Sequence, residues 1–379
     1  METKLLNGNN KEAIAEASKI LQDGGLVAFP TETVYGLGAD ALNADAAAKI
    51  YAAKGRPSDN PLIVHIADTD AVEKLADLET MNRTHPDMVK KAYMLMEAFW
   101  PGPLTIIFPK LAIVPDGTTG GLPTVAIRMP SHPIAQELIR TSGVSIAAPS
   151  ANTSGRPSPT TAQHVWEDMD GHIEMILDGG AVGIGIESTI VDMTGTIPTI
   201  LRPGFITKTM LSEIVGDVTI DPAIIEPDPN LRPKAPGMKY THYAPHGTLS
   251  IVEAVADESA NRASLHSGVK VSYNATEAET LRVAEKIKAL VNEKEAQGYK
   301  VAILTTKEHA SLYKNYSHVL IVGEGSKGQT ISARLYAALR ECDSEQMEYM
   351  YSEAFDQNEL GGAIMNRLLK AAGHRVITV

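Results

Sequence analysis

Two cationic side chains separated by one glycine have the types and spacing of a polyphosphate site. Lys54-Gly55-Arg56 follows a stretch with helical periodicity, and Pro57 comes directly after it. Lysine offers a point charge and arginine a bidentate donor, so a pair at a helix exit can bind one polyphosphate. A solvated helix C-terminus, where cations complement the helix dipole, is the alternative that this spacing leaves open.

A second segment, residues 147–158, is dense in small hydroxyl and amide side chains. It contains Ser150, Asn152 and Ser158 among prolines and glycines. Small residues allow a ligand to approach the backbone closely, and hydroxyl and amide groups bind sugar or phosphate oxygens. A turn-rich loop that only caps the following helix has the same composition.

Two strand-like runs carry a basic residue each. Arg128 ends the run 124–128, where an arginine can pair with a substrate carboxylate or form a structural ion pair. His65 lies inside the apolar run 62–66, and a core histidine is the common occupant of such a position. Both residues are candidates for a ligand site, with a structural role as the alternative.

Two glycine-containing segments are typical of anion-binding turns. Residues 30–38 predict a strand-to-helix turn, whose backbone donors favour an anion. Residues 323–328 satisfy G-x-G-x-x-G, but a dinucleotide fold needs an acidic residue at the end of the next strand. Asp343 has about the right spacing and precedes the next apolar stretch instead of ending it. The second motif is therefore a weak indication of a nucleotide.

The composition excludes several classes of protein. The net charge of −12, with five Phe and two Trp, argues against a general nucleic-acid binder or an aromatic stacking platform. The single Cys342 excludes an internal disulfide framework and a cysteine zinc cluster. No secretory signal or membrane-length apolar stretch is present, so a soluble, cytoplasmic protein is expected.

The hydrophobic pattern predicts two α/β domains. Strand-like and helical runs alternate through residues 1–217, which we interpret as the first domain. Residues 218–246 are dense in proline and predict an extended connection. Residues 247–379 again alternate and predict a smaller α/β domain.

Several independent segments occur in an order that resembles a known family. They are Pro-Thr-Glu-Thr-Val-Tyr-Gly-Leu (30–37), Lys-Gly-Arg-Pro (54–57), Asn-Pro-Leu-Ile-Val-His (60–65), Pro-Gly-Pro-Leu-Thr (101–105), Val-Ala-Ile-Arg-Met-Pro (125–130), Pro-Ser-Ala-Asn-Thr-Ser-Gly (149–155), Gly-Ile-Glu-Ser-Thr-Ile-Val-Asp (185–192), Ile-Leu-Arg-Pro-Gly (200–204), Ala-Pro-Gly-Met-Lys-Tyr-Thr-His-Tyr-Ala-Pro-His (235–246) and Gly-Gly-Ala-Ile-Met-Asn-Arg-Leu-Leu-Lys-Ala (361–371). Together they resemble the YrdC-type threonylcarbamoyl-AMP synthases in their longer, two-domain form.

The resemblance implies a fold and a reaction. The expected fold is α/β, with a twisted open mixed sheet around a concave cleft and a smaller Rossmann-like C-terminal domain. The implied reaction converts L-threonine, bicarbonate and ATP into L-threonylcarbamoyl-AMP, pyrophosphate and water, and Mg²⁺ is expected to accompany ATP. The product is expected to pass to a separate tRNA-modifying transferase complex, so tight tRNA binding by this chain is not expected.

Few dedicated carboxylates are expected for Mg²⁺, and Glu32 and Glu187 are candidates for indirect contact with it. The resemblance also implies the roles of individual residues. The implied catalytic residues are Lys54 and Arg56. Those expected around ATP are Lys54, Arg56, Asn60, Thr124, Ser150, Asn152, Ser158, Arg202 and His242. Those expected around threonine are Thr33, His65, Arg128, Ala148 and Ser188. The segment 235–246 is expected to fold over the site, with Tyr240, His242 and Tyr243 as candidates and His242 favoured.

Two other functions compete with this interpretation. A non-enzymatic RNA-binding module is one, since related domains have a cleft compatible with duplex RNA, but the acidic balance opposes it. Carbamoyl transfer in hydrogenase maturation is the other, and its enzymes resemble longer chains with cysteine zinc fingers. One cysteine cannot build such fingers.

Overall fold

A computed structural model describes residues 2–224, 234–236, 242–254, 276–355 and 360–379. The chain divides into two compact units. The first comprises Met1–Ser154 and Ser158–Lys239, and the second comprises Gly155–Pro157 and Tyr240–Val379.

The first unit contains one large sheet with helices. Its strands are β1 (Lys4–Asn7), β2 (Val27–Phe29), β3 (Gly36–Asp40), β4 (Ile63–His65), β5 (Leu104–Pro109), β6 (Thr124–Arg128), β7 (Ile146–Ala147), β8 (Met175–Asp178), β9 (Thr189–Asp192), β10 (Thr199–Arg202) and β11 (Thr219–Ile220). Its helices are α1 (Lys11–Gln22), α2 (Ala44–Lys54), α3 (Leu78–Thr84), α4 (Pro86–Phe99), α5 (Asp116–Thr119), α6 (Pro133–Ser142), α7 (Ala162–Met169) and α8 (Lys208–Val215). Side-chain caps define several helix starts, such as Asn43 before α2 and Thr161 before α7.

The strand order of this sheet is β1-β8-β2-β3-β7-β4-β6-β5-β9-β10-β11. The sheet contains both parallel pairs, such as β4 with β6, and antiparallel pairs, such as β5 with β6. The sheet is therefore mixed, and the predicted mixed α/β class is confirmed.

The two faces of the sheet differ because side chains alternate along each strand. Val64, Ile106 and Ile127 point to one face and belong to the main hydrophobic core, with buried residues of the helices. Ile63 and Ala126 point to the opposite face, in a smaller cluster completed by Ile107, Ile190, Leu201 and Ala235. Alternate residues of β4, β5 and β6 point to this second face, and they include polar residues near the strand ends.

The second unit is built on a five-stranded, entirely parallel sheet with the order β14-β13-β15-β12-β16. Its strands are β12 (Thr248–Glu253), β13 (Val301–Thr305), β14 (Val319–Ile321), β15 (Tyr349–Glu353) and β16 (Val376–Thr378), and its helices are α9 (Glu277–Ala296), α10 (Gly328–Ser344) and α11 (Leu360–Ala371). This unit agrees with the smaller parallel α/β domain expected from the sequence. None of the helices in the described ranges has the length and apolar character that a membrane crossing requires.

The structure bears differently on the two glycine-containing segments. The predicted turn at Gly36–Gly38 is wrong, because these residues form the start of β3, antiparallel to β2. A side chain at Gly38 would lie 2.7 Å from Ile146 and 2.8 Å from Phe29, so this glycine permits close packing between strands. In the segment 323–328, the Gly325 N–H donates to the Glu308 carboxylate at 2.8 Å, so a side chain of the protein itself binds this loop.

Candidate functional site

A row of polar residues crosses three neighbouring strands of the first sheet. His65 on β4 is in register with Arg128 on β6, which is in register with Thr105 on β5. The Thr105 hydroxyl lies 2.7 Å from the hydroxyl of Ser188. Three of the predicted threonine-site residues, His65, Arg128 and Ser188, are thus brought together on one face.

Arg128 is the charged centre of this row. Its side chain is buried and its Nη2 donates to Glu32 Oε1 at 2.7 Å. Its Nε lies 3.4 Å from the carbonyl oxygen of Gly102. No acceptor is described for Nη1, so the guanidinium retains donor capacity for a further anion such as a carboxylate.

His65 is neutral at physiological pH. Burial, followed by the charge of Arg128, lowers the pKa of His65 to about 3. Its Nδ1 lies 3.1 Å from the Ile63 carbonyl oxygen, and its ring meets Phe29 edge to face. A neutral imidazole can exchange hydrogen bonds with a ligand without adding a second positive charge beside Arg128.

The buried state of His65 predicts a pH dependence of stability. The unfolded histidine binds a proton below about pH 6.5, whereas the folded one does so only near pH 3. The free energy of unfolding therefore decreases as the pH is lowered through this window, by about 2 kcal/mol for this histidine between pH 7 and pH 5. In urea titrations between pH 7 and pH 5, the free energy of unfolding of His65→Asn should decrease less than that of the wild type. The exposed His172→Asn is the control, and an identical pH dependence in both variants contradicts the assignment.

Thr33 and Ala148 extend the same region. The Thr33 carbonyl accepts the Gly185 N–H at 3.0 Å, and its hydroxyl lies 2.8 Å from that of Thr31. The Ala148 N–H donates to Ile63 at 2.8 Å, beside the strand that carries His65. Both residues are buried. The five predicted threonine-site residues therefore belong to segments linked by direct contacts.

Lys54 is tied to the loop after β7. Only 2 % of it is exposed, and its Nζ donates to the carbonyl oxygen of Ser150 at 2.6 Å and to that of Asn152. The Ser150 hydroxyl lies 2.5 Å from Asn152 Oδ1, and the Ser154 N–H donates back to the Lys54 carbonyl. Lys54 is thus a buried cation that organises the Ser/Asn loop, which excludes the alternative of a solvated helix end.

Arg56 lies outside this core and is partly exposed. Its guanidinium donates to the carbonyl oxygens of Asn60 at 3.3 Å and Pro61 at 3.1 Å. Asn60 is buried, and its Oδ1 has no hydrogen-bond partner. Thr124 begins β6, on the face that carries Arg128. An amide oxygen without a partner can accept a hydrogen bond from a ligand.

Two further predicted nucleotide residues are linked through the segment 187–188. The Ser158 hydroxyl donates to Glu187 Oε1 at 2.6 Å. Arg202 donates to the Ser188 carbonyl at 3.0 Å and to the Ser188 hydroxyl at 3.1 Å. Since Ser188 also meets Thr105, these contacts connect the predicted nucleotide residues with the polar row.

His242 and Tyr243 belong to the second unit. Their rings lie 5.5 Å apart, and Tyr243 stacks on Tyr336 with 5.1 Å between ring centroids. The nucleotide role of His242 stays a prediction. Tyr240 lies outside the described residues.

Sequence reasoning considered Glu32 and Glu187 only as candidates near Mg²⁺, and it assigned no site role to Thr105. Glu32 stands beside Thr33 in a segment already considered, and its pairing with Arg128 links positions 96 residues apart. Thr105 could have been found from alternation along β5, which places it on the face opposite Leu104 and Ile106.

Two family models match the chain. The model described as "Telomere recombination" matches residues 19–204. The model described as "Threonylcarbamoyl-AMP synthase, C-terminal domain" matches residues 206–373. The two matches follow one another along the chain and cover residues of both structural units.

Full-length relatives are similar to the chain in sequence and in structure. A threonylcarbamoyl-AMP synthase of Bacillus subtilis is 46% identical over 369 residues, covering 97% of this chain and 95% of that protein. One of Pyrococcus abyssi is 41% identical over 376 residues, covering 98% of each. The crystal structure of P. abyssi Sua5 complexed with L-threonine matches with a TM-score of 0.84 at 40% identity, and 100% of both chains is covered.

Proposed function

The chain belongs to the threonylcarbamoyl-AMP synthase family in its two-domain form, and we propose that it converts L-threonine, bicarbonate and ATP into L-threonylcarbamoyl-AMP. It is an enzyme of the transferase class and releases pyrophosphate. Neither competing function, an RNA-binding module or a hydrogenase-maturation carbamoyl transferase, is supported by the relatives that match over the full chain.

One observation carries the amino-acid half of the proposal. Arg128 is buried at the end of β6 and has an Nη1 with no described acceptor, beside a neutral His65. A buried guanidinium with a free edge matches the planar carboxylate of an amino acid. The hydroxyls of Thr33 and Ser188 and the methyl group of Ala148 supply both polar and apolar contacts for a threonine side chain.

The reaction requires positioning and charge neutralisation more than a covalent nucleophile. The amine of threonine and bicarbonate form a carbamate with loss of water, and a carbamate oxygen attacks the α-phosphorus of ATP. A new P–O bond then forms while the bond to pyrophosphate breaks. Charge accumulates on phosphate oxygens, where cations and hydrogen-bond donors lower the barrier.

The nucleotide half of the proposal rests on the residues around Lys54. This lysine fixes the loop that carries Ser150 and Asn152, and Arg56 and Arg202 are the further cations that we assign to ATP. We assign Asn60, Thr124 and Ser158 to hydrogen bonds with ATP. Held in place before ATP binds, these donors need little reorganisation in the transition state.

Magnesium is expected with ATP, and the protein residues fit a loosely held ion. Among the described residues, no group of three or more His, Cys, Asp or Glu side chains is arranged to hold a metal. The nearby carboxylates of Glu187 and Glu32 are engaged with Ser158 and Arg128. Phosphate oxygens and water would therefore supply most ligands of Mg²⁺, the usual arrangement for a nucleotide-bound ion.

The expected partners follow from the product. Threonylcarbamoyl-AMP is a mixed anhydride that a separate transferase complex would consume to modify tRNA. A net charge of −12 suits an enzyme that need not hold tRNA tightly. We propose a cytoplasmic location, where ATP, tRNA and a single reduced cysteine are compatible.

The test is a coupled pyrophosphate assay with ATP, bicarbonate and single amino acids. Pyrophosphate release should require an amino acid and bicarbonate together, with threonine the best substrate. Labelled bicarbonate should appear in an adenylate that contains threonine. Equal turnover with alanine, or turnover without bicarbonate, would contradict the proposal.

The described part of the linker predicts a role in closing the site. Ala235 has no exposed surface and packs on the apolar cluster of the second sheet face, with Ile63, Ala126 and Leu201. The Pro236 carbonyl accepts a hydrogen bond from Arg202 at 3.4 Å. The segment 234–236 therefore lies against the strands that carry the polar row, where it can exclude water from the mixed anhydride.

We expect Ala235→Asp to release this segment, because it places a charge in an apolar cluster. Adenylate formation should fall at least about tenfold. The fraction of consumed ATP that is hydrolysed without giving the adenylate should rise. Lys234→Asp, at the exposed neighbouring position, is the matched control. Full activity of Ala235→Asp, or equal loss in both variants, means that the segment is only a connector.

A further inference from the structure

Glu32 is fixed by three separate interactions. Its Oε1 accepts from Arg128 Nη2 at 2.7 Å, and its Oε2 accepts the Ser131 N–H at 3.1 Å. Its backbone carbonyl accepts the Ile184 N–H at 2.9 Å. The carboxylate therefore joins the loop after β2 to the end of β6 in a defined orientation.

The consequence for Arg128 is geometric. A guanidinium is planar, so fixing Nη2 on Glu32 and Nε near Gly102 sets the direction of the remaining edge. That edge contains Nη1, for which no acceptor is described.

The charge balance also depends on Glu32. His65, the neighbour of Arg128 in register, is kept neutral. Among the described residues, Glu32 is the carboxylate that forms an ion pair with Arg128. Without it, the buried guanidinium would carry an uncompensated charge and would be drawn to other acceptors, away from the orientation that suits a carboxylate.

We propose that Glu32 is a positioning residue that holds Arg128 so that its Nη1 edge receives the carboxylate of the amino-acid substrate. This role rests on the proposed function and adds to it a residue that acts through Arg128 without touching the substrate. A competing role would place the Glu32 carboxylate directly on the ammonium group of threonine. The two roles differ in whether Glu32 matters once Arg128 is gone.

The experiment is a double-mutant cycle in the pyrophosphate assay with wild type, Glu32→Ala, Arg128→Ala and the double variant. We expect Glu32→Ala to raise the KM for threonine by about tenfold or more and to change the KM for ATP less than about twofold. In the Arg128→Ala background, Glu32→Ala should have no further effect on the KM for threonine. Glu32→Gln keeps an oxygen acceptor for Arg128 and should give a smaller increase.

Several results would overturn the role. An unchanged KM for threonine in Glu32→Ala does so, as does a parallel rise in the KM for ATP. An equal additional rise in the Arg128→Ala background instead assigns Glu32 to direct substrate contact. Glu137→Ala, at an exposed position on α6, is the control for loss of a carboxylate, and thermal melting reports folding of each variant.

If Glu32→Ala does not fold, Glu32→Gln carries the test alone, and a threonine KM equal to wild type rejects the role. Failure of the proposed function has a different signature. It would leave the wild-type enzyme without threonine-dependent pyrophosphate release, whereas failure of the Glu32 role leaves that activity intact and only the variants unchanged.

Discussion

Replacing Lys54 by alanine should lower adenylate formation by on the order of a hundredfold or more while the protein remains folded. Lys54 Nζ donates to the carbonyl oxygens of Ser150 and Asn152, so its loss removes both the cation and the group that fixes this loop. The measurement is kcat and KM for ATP in the pyrophosphate assay. We expect kcat to fall more than the KM rises, because the loop is organised for the transition state.

Lys49→Ala is the matched control for this result. Lys49 lies on the same helix, α2, and its Nζ also donates to a backbone carbonyl, that of Gly24. It should keep near-normal turnover because Gly24 is not part of the site. Near-normal turnover of Lys54→Ala at saturating ATP is the outcome that contradicts a catalytic role for this lysine.

Replacing Arg128 by alanine should weaken threonine binding by about 2–4 kcal/mol, or about 30- to 1000-fold in KM. The variant loses a charge-assisted pair to the carboxylate and leaves Glu32 without its partner. The affinity for ATP should change much less, because the described contacts of Arg128 do not include a predicted nucleotide residue. Isothermal titration with threonine and with ATP separates the two affinities.

Arg140→Ala tests whether loss of any arginine has this effect. Arg140 is an exposed residue of α6 that donates to the Ala67 carbonyl and to Gln136, neither of which is a predicted site residue. It should bind threonine like the wild type. If Arg128→Ala does so as well, or if it loses threonine and ATP affinity equally, the carboxylate assignment is wrong.

The sequence predicted much of the first sheet. The run 124–128 coincides with β6. The apolar run 104–108 also predicts a strand, and it agrees with β5 apart from the final Pro109. Both runs are rich in branched residues and end near prolines, so local signals suffice. Residues 70–78, by contrast, have a pattern that predicts an α-helix, whereas the structure has a 3-10 helix at Thr69–Lys74.

What local signals could not predict is which strands are neighbours. The pairing of β4 with β6 and β7, which places His65 beside Arg128, depends on packing across the whole unit. The Glu32–Arg128 ion pair depends on the same long-range arrangement. Gly36 and Gly38 were misinterpreted because glycine serves turns and closely packed strands equally well.

The register of β4, β5 and β6 limits how the length of the chain can vary. On these strands, each polar residue of the row lies two positions from an apolar residue on the same face. Deleting one residue inside β6 would therefore turn Arg128 into the main core and Ile127 toward the face that carries the polar row. Single-residue insertions and deletions are therefore excluded from these strands. Homologous chains should differ in length at exposed connections, such as residues 195–197 between β9 and β10, and should keep the lengths of β4, β5 and β6 constant.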